Sequence, residues 1–252
     1  MISVLCVTAF KDINRDKWSE KGVPHSRGTD KYLEWFYNLK NLPLNLICFA
    51  DEPIASQIRN RTSFNNIYPY NERDTFFKYI EFEKRVMNSP YYKGLVASTG
   101  SWPEHSVPEY NIVNHNKVNF VRRAYEINPG YTHYAWIDFG FQRNPSSEPL
   151  KWDHILNNSI NYAIDKPLRY NEIPDPETIC RNPETGNIIQ GALFTVPASL
   201  VRWYENAYEK ALQHYYSKNL ADDDQSVALL VVKNNPEKFR LHVRKAFRIL
   251  YE

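Results

Sequence analysis

The chain has 252 residues, 42% hydrophobic and 24% charged, enough to bury a core as one large domain or two small ones, which excludes a linker or tail. Lys+Arg of 31 against Asp+Glu of 29 leaves a formal charge of +2, too balanced for a protein whose main partner is nucleic acid or another polyanion. Three cysteines are too few for a disulfide framework, so free thiols in a reducing, cytoplasmic setting are expected.

Residues 1–10 are apolar with no basic segment ahead of them, and read as neither a signal peptide nor a membrane span. No later run nears the roughly 20 apolar residues of a transmembrane helix, so membrane contact is expected only at the surface. Residues 2–10 and 44–50 predict interior strands of a sheet covered on both faces. Between them Thr29 and Asp30 offer a helix cap, and Leu33, Phe36, Tyr37 and Lys40 follow at helical spacing. A short strand over 66–70 and a helix from Asp74 to Met87 come next, the helix stopped by Asn88, Ser89 and Pro90. Val118, Val121 and Tyr125 mark a helix over 114–127, ended by Asn128, Pro129 and Gly130. Residues 132–139 predict a strand whose end carries an acid. Residues 143–188 hold Pro145, Pro149, Pro167, Pro174, Pro176 and Pro183, and are expected to be irregular around a weak strand at 162–164. A strand over 191–196 follows, with Pro197 as first residue of an amphipathic helix carrying Leu200, Tyr204, Ala207, Tyr208, Ala211 and Tyr215. Asp222, Asp223 and Asp224 precede a last helix over 226–232. This alternation, without repeat or linker, predicts one α/β domain.

Asp138, in Trp136-Ile137-Asp138-Phe139-Gly140, closes an apolar strand, where open α/β sheets place their ligands. A carboxylate there can hold a divalent cation against a diphosphate, and Gly140 would let the backbone approach the ligand; the bland alternative is an acid capping the next turn. Asp-Phe-Gly also occurs in protein kinases, but no glycine-rich loop and no His-Arg-Asp loop accompanies it. A P-loop, a Gly-x-Gly-x-x-Gly fingerprint and a Gly-x-Ser-x-Gly elbow are absent. Lys117, Arg122 and Arg123 put positive charge on the helix before the Asp138 strand, with Arg15 and Arg143 in loops, and such groups can grip a diphosphate. In the run Asp222 to Asp224, one carboxylate is expected to cap the helix and another to face a cleft beside Gln225. His242, between apolar neighbours, reads as a hydrogen-bonded core histidine, and His25, His105 and His115 show no metal-ligand spacing.

Thr8-Ala9-Phe10, Asp12-Ile13-Asn14-Arg15 with Trp18, Tyr32 and Trp35, Pro108-Glu109-Tyr110-Asn111 with Lys117, Asn128-Pro129, the Trp136 to Gly140 segment with Arg143, and Asp223-Asp224-Gln225 stand in an order and spacing that resemble the HtrL/YibB-type (WlaTC/HtrL) glycosyltransferases across most of the chain. The resemblance implies a single GT-A-like, Rossmann-related domain over 1–252, with a central mixed, mostly parallel sheet flanked by helices. Its part up to about residue 140 would bind the donor, and the rest would form the acceptor side. The implied reaction moves a sugar from a nucleotide-sugar donor to a glycan or glycolipid acceptor in surface-glycan or lipopolysaccharide synthesis, in the cytosol of a bacterium or of a virus's host.

By the same resemblance Thr8, Phe10, Arg15 and Asp51 would surround the nucleotide, and Asp138 would bind Mn2+ or Mg2+. Gly140 occupies the place of a second acid, so the ion would either take His242 as an additional ligand or be bound mainly through the diphosphate. Lys117, Arg15 and Arg143 would meet the diphosphate, and Gln190-Gly191 would allow close approach of donor sugar or acceptor. Asp223 or Asp224 would lie near the acceptor hydroxyl, as general base if the product inverts; if it retains, the carboxylate or Gln225 would stabilise the cationic ring. Aromatic side chains from 102–110 and 203–216 are candidates for the acceptor side. The missing acid leaves room for a non-catalytic glycan- or nucleotide-binding protein on the same fold, and a metal-dependent phosphoesterase is a third reading.

Overall fold

The computed structural model describes residues 2–72, 75–146, 148, 150–182 and 188–251. Met1, Asp74, Pro149 and Pro183, used above, lie outside them. The apolar runs become strands: β1 (Val4–Phe10), β2 (Leu46–Ala50), β3 (Ile67–Pro69), β4 (His133–Ile137), β5 (Ile160–Ile164), β6 (Ile189–Pro197) and β7 (Phe239–Val243). They form one sheet in the order β3-β2-β1-β4-β6-β5-β7, in which only β6 runs against its neighbours. This is the single α/β domain that the alternation implied, with the mixed, mostly parallel sheet that the resemblance implied.

Both faces are covered, which is why the strands read as continuous apolar runs rather than alternating ones. Leu5, Val7, Tyr134 and Trp136 pack with α3 (Ile80–Asn88), α4 (Pro90–Leu95), α6 (Pro108–Ile127), α8 (Val201–Ser217) and α9 (Asp224–Asn234). Cys6, Ala135 and Ile137, one residue out of phase, pack with α1 (Thr29–Lys40) and α2 (Glu52–Arg61). Cys6, Cys48 and Cys180 are free and buried. Among the described residues no helix is long and apolar enough to cross a membrane.

Local chemistry moved several boundaries. Thr29 and Asp30 do not cap α1; Gly28 holds that position, and the Thr29 hydroxyl donates to Asp12 Oδ2 (2.9 Å). Phe76–Tyr79 is a 3-10 turn introduced by Thr75, so α3 begins later than expected. Pro108 starts α6 six residues before the predicted 114, with Glu109 in its first turn. Pro197 is the last residue of β6, opposite His133, and the Ala198–Leu200 turn separates it from α8. The expected loop over 143–188 contains all of β5 and α7 (Pro176–Arg181), where Asp175 caps and Pro176 takes the first helical position. Short α5 (Pro103–Ser106), with α2, α4 and β7, was not legible from periodicity at all.

Candidate active site

Chain order reverses between β1 and β4: β2 lies on one side of β1 and β4 on the other. In open α/β sheets a crevice forms at that switch point, outside the carboxyl ends of the strands. A cleft of about 380 Å³ opens here, lined by Phe10 and Arg15 after β1, Asp138 to Gly140 and Arg143 after β4, and Gln190 and Gly191 at the start of β6. Because β6 is antiparallel to β4, it begins where β4 ends, and Asp138 N–H donates to Ala192 O (2.9 Å).

Asp138 lies two residues beyond Trp136, on the same side of the strand, facing α6. Trp136 Nε1 donates to Asp138 Oδ1 (2.8 Å), so the carboxylate is held by its own strand and does not cap the next turn. The Asp138 side chain keeps 36% of its surface exposed, towards the cleft. From α6 the buried Lys117 reaches the same oxygen (3.4 Å), Asp224 Oδ2 (2.9 Å) and Gly191 O (3.1 Å). Burial works against the lysine's charge, but Asp138 and then Asp224 outweigh it and hold its pKa above the usual value. Burial likewise pushes Asp224 up to about 7, with Lys117 pulling in the opposite direction.

Arginines crowd the other wall. Arg15 donates to His25 O (2.9 Å) and Tyr32 Oη (2.5 Å), and its guanidinium lies 4.8 Å from the Trp18 ring. Arg27 lies over Trp35 (5.6 Å), while Arg143 sits between Trp35 (5.3 Å) and Phe247 (4.8 Å). None of the three has a carboxylate partner among the described residues. Guanidinium groups held on aromatic rings are oriented while their N–H forks stay available.

Residues 2–251 match the family described as "Bacterial protein of unknown function (HtrL_YibB)". The chain belongs to the HtrL_YibB family. No curated protein matches it. Among solved structures, it is similar to a glycosyltransferase involved in the glycosylation of the major capsid of PBCV-1, at 8% identity and a TM-score of 0.41, over 95% of this chain and 81% of that one. It is similar also to mannose-1-phosphate geranyltransferase from Thermus thermophilus, at 9% identity and a TM-score of 0.38, over 96% of this chain and 74% of that one.

Within this family member, Phe10, Arg15, Lys117, Asp138, Gly140, Arg143, Gln190, Gly191 and Gln225 all line the one cleft. Asp223 and Asp224 lie just behind it. Asp223 caps α9, accepting from Gln225 N (3.0 Å), so the helix starts two residues before the predicted 226. Burial, then Glu104, raises the Asp223 pKa. Three expected positions fall elsewhere. Thr8 is enclosed within β1, and Asp51 caps α2 by accepting from Ile54 N (3.3 Å), so neither lines the cleft. His242 lies on β7, three strand spacings from β4, which is about 14 Å at ~4.8 Å each. Its Nε2 pairs with Asn161 Oδ1 (2.9 Å), so it cannot share an ion with Asp138.

Two roles also change. A Cβ on Gly140 would lie 2.8 Å from Trp35 Cε3, so this glycine makes room for an aromatic side chain. The Gln190 amide is committed to Asp165 Oδ1 (2.7 Å), Arg244 O (3.2 Å) and Ala246 N (2.6 Å), tying β6 to the C-terminal segment. Arg122 pairs with Glu205 and Arg123 packs over Phe49, both outside the cleft. Of the aromatic candidates, Tyr110 lines the cleft, whereas Tyr204, Tyr208, Tyr215 and Tyr216 of α8 are core. Arg27, Asn114 and Phe247 were missed. Asn114 had a signal, since Tyr110, Val113, Asn114 and Lys117 fall at i, i+3, i+4 and i+7 on α6.

A divalent ion does not fit this donor set as it stands. The described residues contain no cluster of three or more His, Cys, Asp or Glu side chains that could hold one. Between the two carboxylates that come nearest to such a site stands the ammonium of Lys117.

Proposed function

We propose that this protein transfers a glycosyl group from a nucleotide-sugar donor, with the donor's diphosphate held by Arg15, Arg27 and Arg143. One observation carries this reading: three arginines without carboxylate partners converge on a cleft at the switch point of an α/β sheet, with the partly exposed Asp138 at its floor and Asp12, held by Thr29 and Asn14, also in its lining. A compact polyanion is the ligand that such a wall suits, and the aromatic rings beneath the arginines suit a nucleobase or sugar face. When the bond between the anomeric carbon and the diphosphate breaks, negative charge grows on the leaving oxygens, and fixed guanidinium groups lower the barrier without having to reorganise. The acceptor would be a glycan or glycolipid entering from the side of Tyr110 and Gln225.

Calorimetry with a panel of nucleoside diphosphates tests the reading. One member of the panel should bind, and Arg143→Ala should weaken it about 10- to 100-fold, the worth of one charge-assisted hydrogen bond. In the absence of acceptor the matching nucleotide sugar should be hydrolysed slowly, water taking the glycosyl group as the nucleoside diphosphate is released. Binding without release would point to the non-catalytic alternative, and no binding by any member would sink the proposal.

A further inference from the structure

Two carboxylates, Asp138 at the floor of the cleft and Asp224 just behind it, converge with a backbone carbonyl in a way that would ordinarily call for a metal ion. Here Lys117 Nζ is already among them, 2.9 Å from Asp224 Oδ2, 3.1 Å from Gly191 O and 3.4 Å from Asp138 Oδ1. The ammonium donates to Gly191 O and is ion-paired with both carboxylates, Asp138 being the more distant, so its charge is already engaged inside the protein. Lysine is almost never fully buried unless paired, and this one is 6% exposed. The surroundings are built around it. Gly191 carries no Cβ where one would collide with Asp224 Oδ2 and stand 3.2 Å from Lys117 Nζ. Trp136 fixes Asp138 Oδ1, and Asp138 Oδ2 has no hydrogen-bond partner among the described residues. A divalent cation placed on Asp138 would lie within a few ångströms of the ammonium, a like-charge contact that opposes its binding.

We propose that Lys117 is a resident cation that takes the place of a divalent ion, so that the cleft binds a diphosphate without metal and Asp138 Oδ2 accepts a hydrogen bond from a hydroxyl of the donor's sugar. The sugar half of this inference rests on the transferase reading; the cation half rests only on the distances above. Asp138 is then a substrate-binding residue and Asp224 a positioning residue that acts through Lys117.

Manganese paramagnetic resonance on the intact protein separates the alternatives. Titrated with Mn2+ alone, the wild type should leave the free-ion signal unchanged. Lys117→Met, in which two carboxylates face each other uncompensated, should quench it, and Lys117→Arg should not. Wild-type affinity for the bound nucleoside diphosphate should agree within about twofold in EDTA and in Mn2+. Quenching by wild type that disappears in Asp138→Asn would overturn the proposal, as would loss of diphosphate binding in EDTA. Those two wild-type measurements decide the matter even if Lys117→Met fails to fold. Failure of every nucleoside diphosphate to bind, with or without manganese, would instead sink the transferase reading and the sugar contact with it, leaving the Mn2+ titration to judge Lys117.

Discussion

Gly191 has an ordinary backbone, with no positive φ to require a glycine, so its side-chain absence has to be explained by space. That space is taken by Asp224 and Lys117, neither of which can yield easily, because each is the other's buried counter-charge. Gly191→Ala should therefore destabilise by roughly 1–3 kcal/mol, the usual cost of overpacking, and should disturb the Asp138–Lys117–Asp224 chain together with donor binding. Denaturant melts and calorimetry on the same variant check it; an alanine variant as stable and as tight-binding as wild type would remove the packing argument. At this scale the sequence was informative wherever an acid or glycine interrupted an apolar run, as at Asp138 and Gly191. It was silent on partners. Lys117 was visible as a cation on a helix, but that it is spent on two carboxylates depends on β6 starting beside the end of β4, and nothing local encodes that. The same ignorance of strand order allowed His242 to be grouped with Asp138, although two strands separate theirs.

Among elements, the contact between α3 and α6 buries a titratable pair that the cleft does not use. Glu83 on α3 and His115 on α6 are fully enclosed, with Oε1 3.5 Å from Nε2, and His115 Nδ1 is 2.7 Å from the Tyr208 hydroxyl. Burial raises the Glu83 carboxyl well above its ordinary range and lowers His115 to about 3, so the enclosure favours the neutral form of each. The sign follows from linkage. A carboxyl whose folded pKa is raised contributes stability that is fully present below its unfolded value, about 4.3, and is lost as pH rises through the folded one. Glu83→Gln carries no such dependence. Thermal melts from pH 5 to 9 should show the variant gaining on wild type steadily as pH rises, with the smallest difference at pH 5. A difference that stays constant across the range would mean that Glu83 does not change its protonation on folding. From sequence, Glu83 looked like one more charged helix residue, because Tyr216 and His115, which neighbour its carboxyl, come from helices over a hundred and about thirty residues further along the chain.

For the molecule as a whole, the alternation of apolar runs and amphipathic stretches was enough to give one α/β domain, since each βα unit announces itself locally through β1, α1 and β2. The second half was harder to read because β5 and β7 are short and depend on strand pairing, β5 with β6 and β7 with β5, rather than on a neighbouring helix signal. Those pairings also determine how the chain should unfold. A division near residue 140 would cut between β4 and β6, whose registers match from His133 opposite Pro197 to Ile137 opposite Leu193. It would also split one hydrophobic cluster that unites Phe49, Phe120 and Trp136 with Phe194, Tyr204 and Val231. The parts of the chain before and after residue 140 should therefore melt together. Tryptophan fluorescence can report the first part alone if Trp152 and Trp203 are replaced by Phe, because the remaining tryptophans, Trp18, Trp35, Trp102 and Trp136, all precede residue 140. Its midpoint in denaturant should coincide with that of hydrogen exchange in α8 and α9, and a fragment ending at residue 140 should not fold, since it would leave the β4 edge unpaired and half of that cluster in water. Separate midpoints, or a cooperative melt of the isolated fragment, would show instead that the part up to residue 140 is a folding unit in its own right, with the β4–β6 seam as an interface rather than as part of the core.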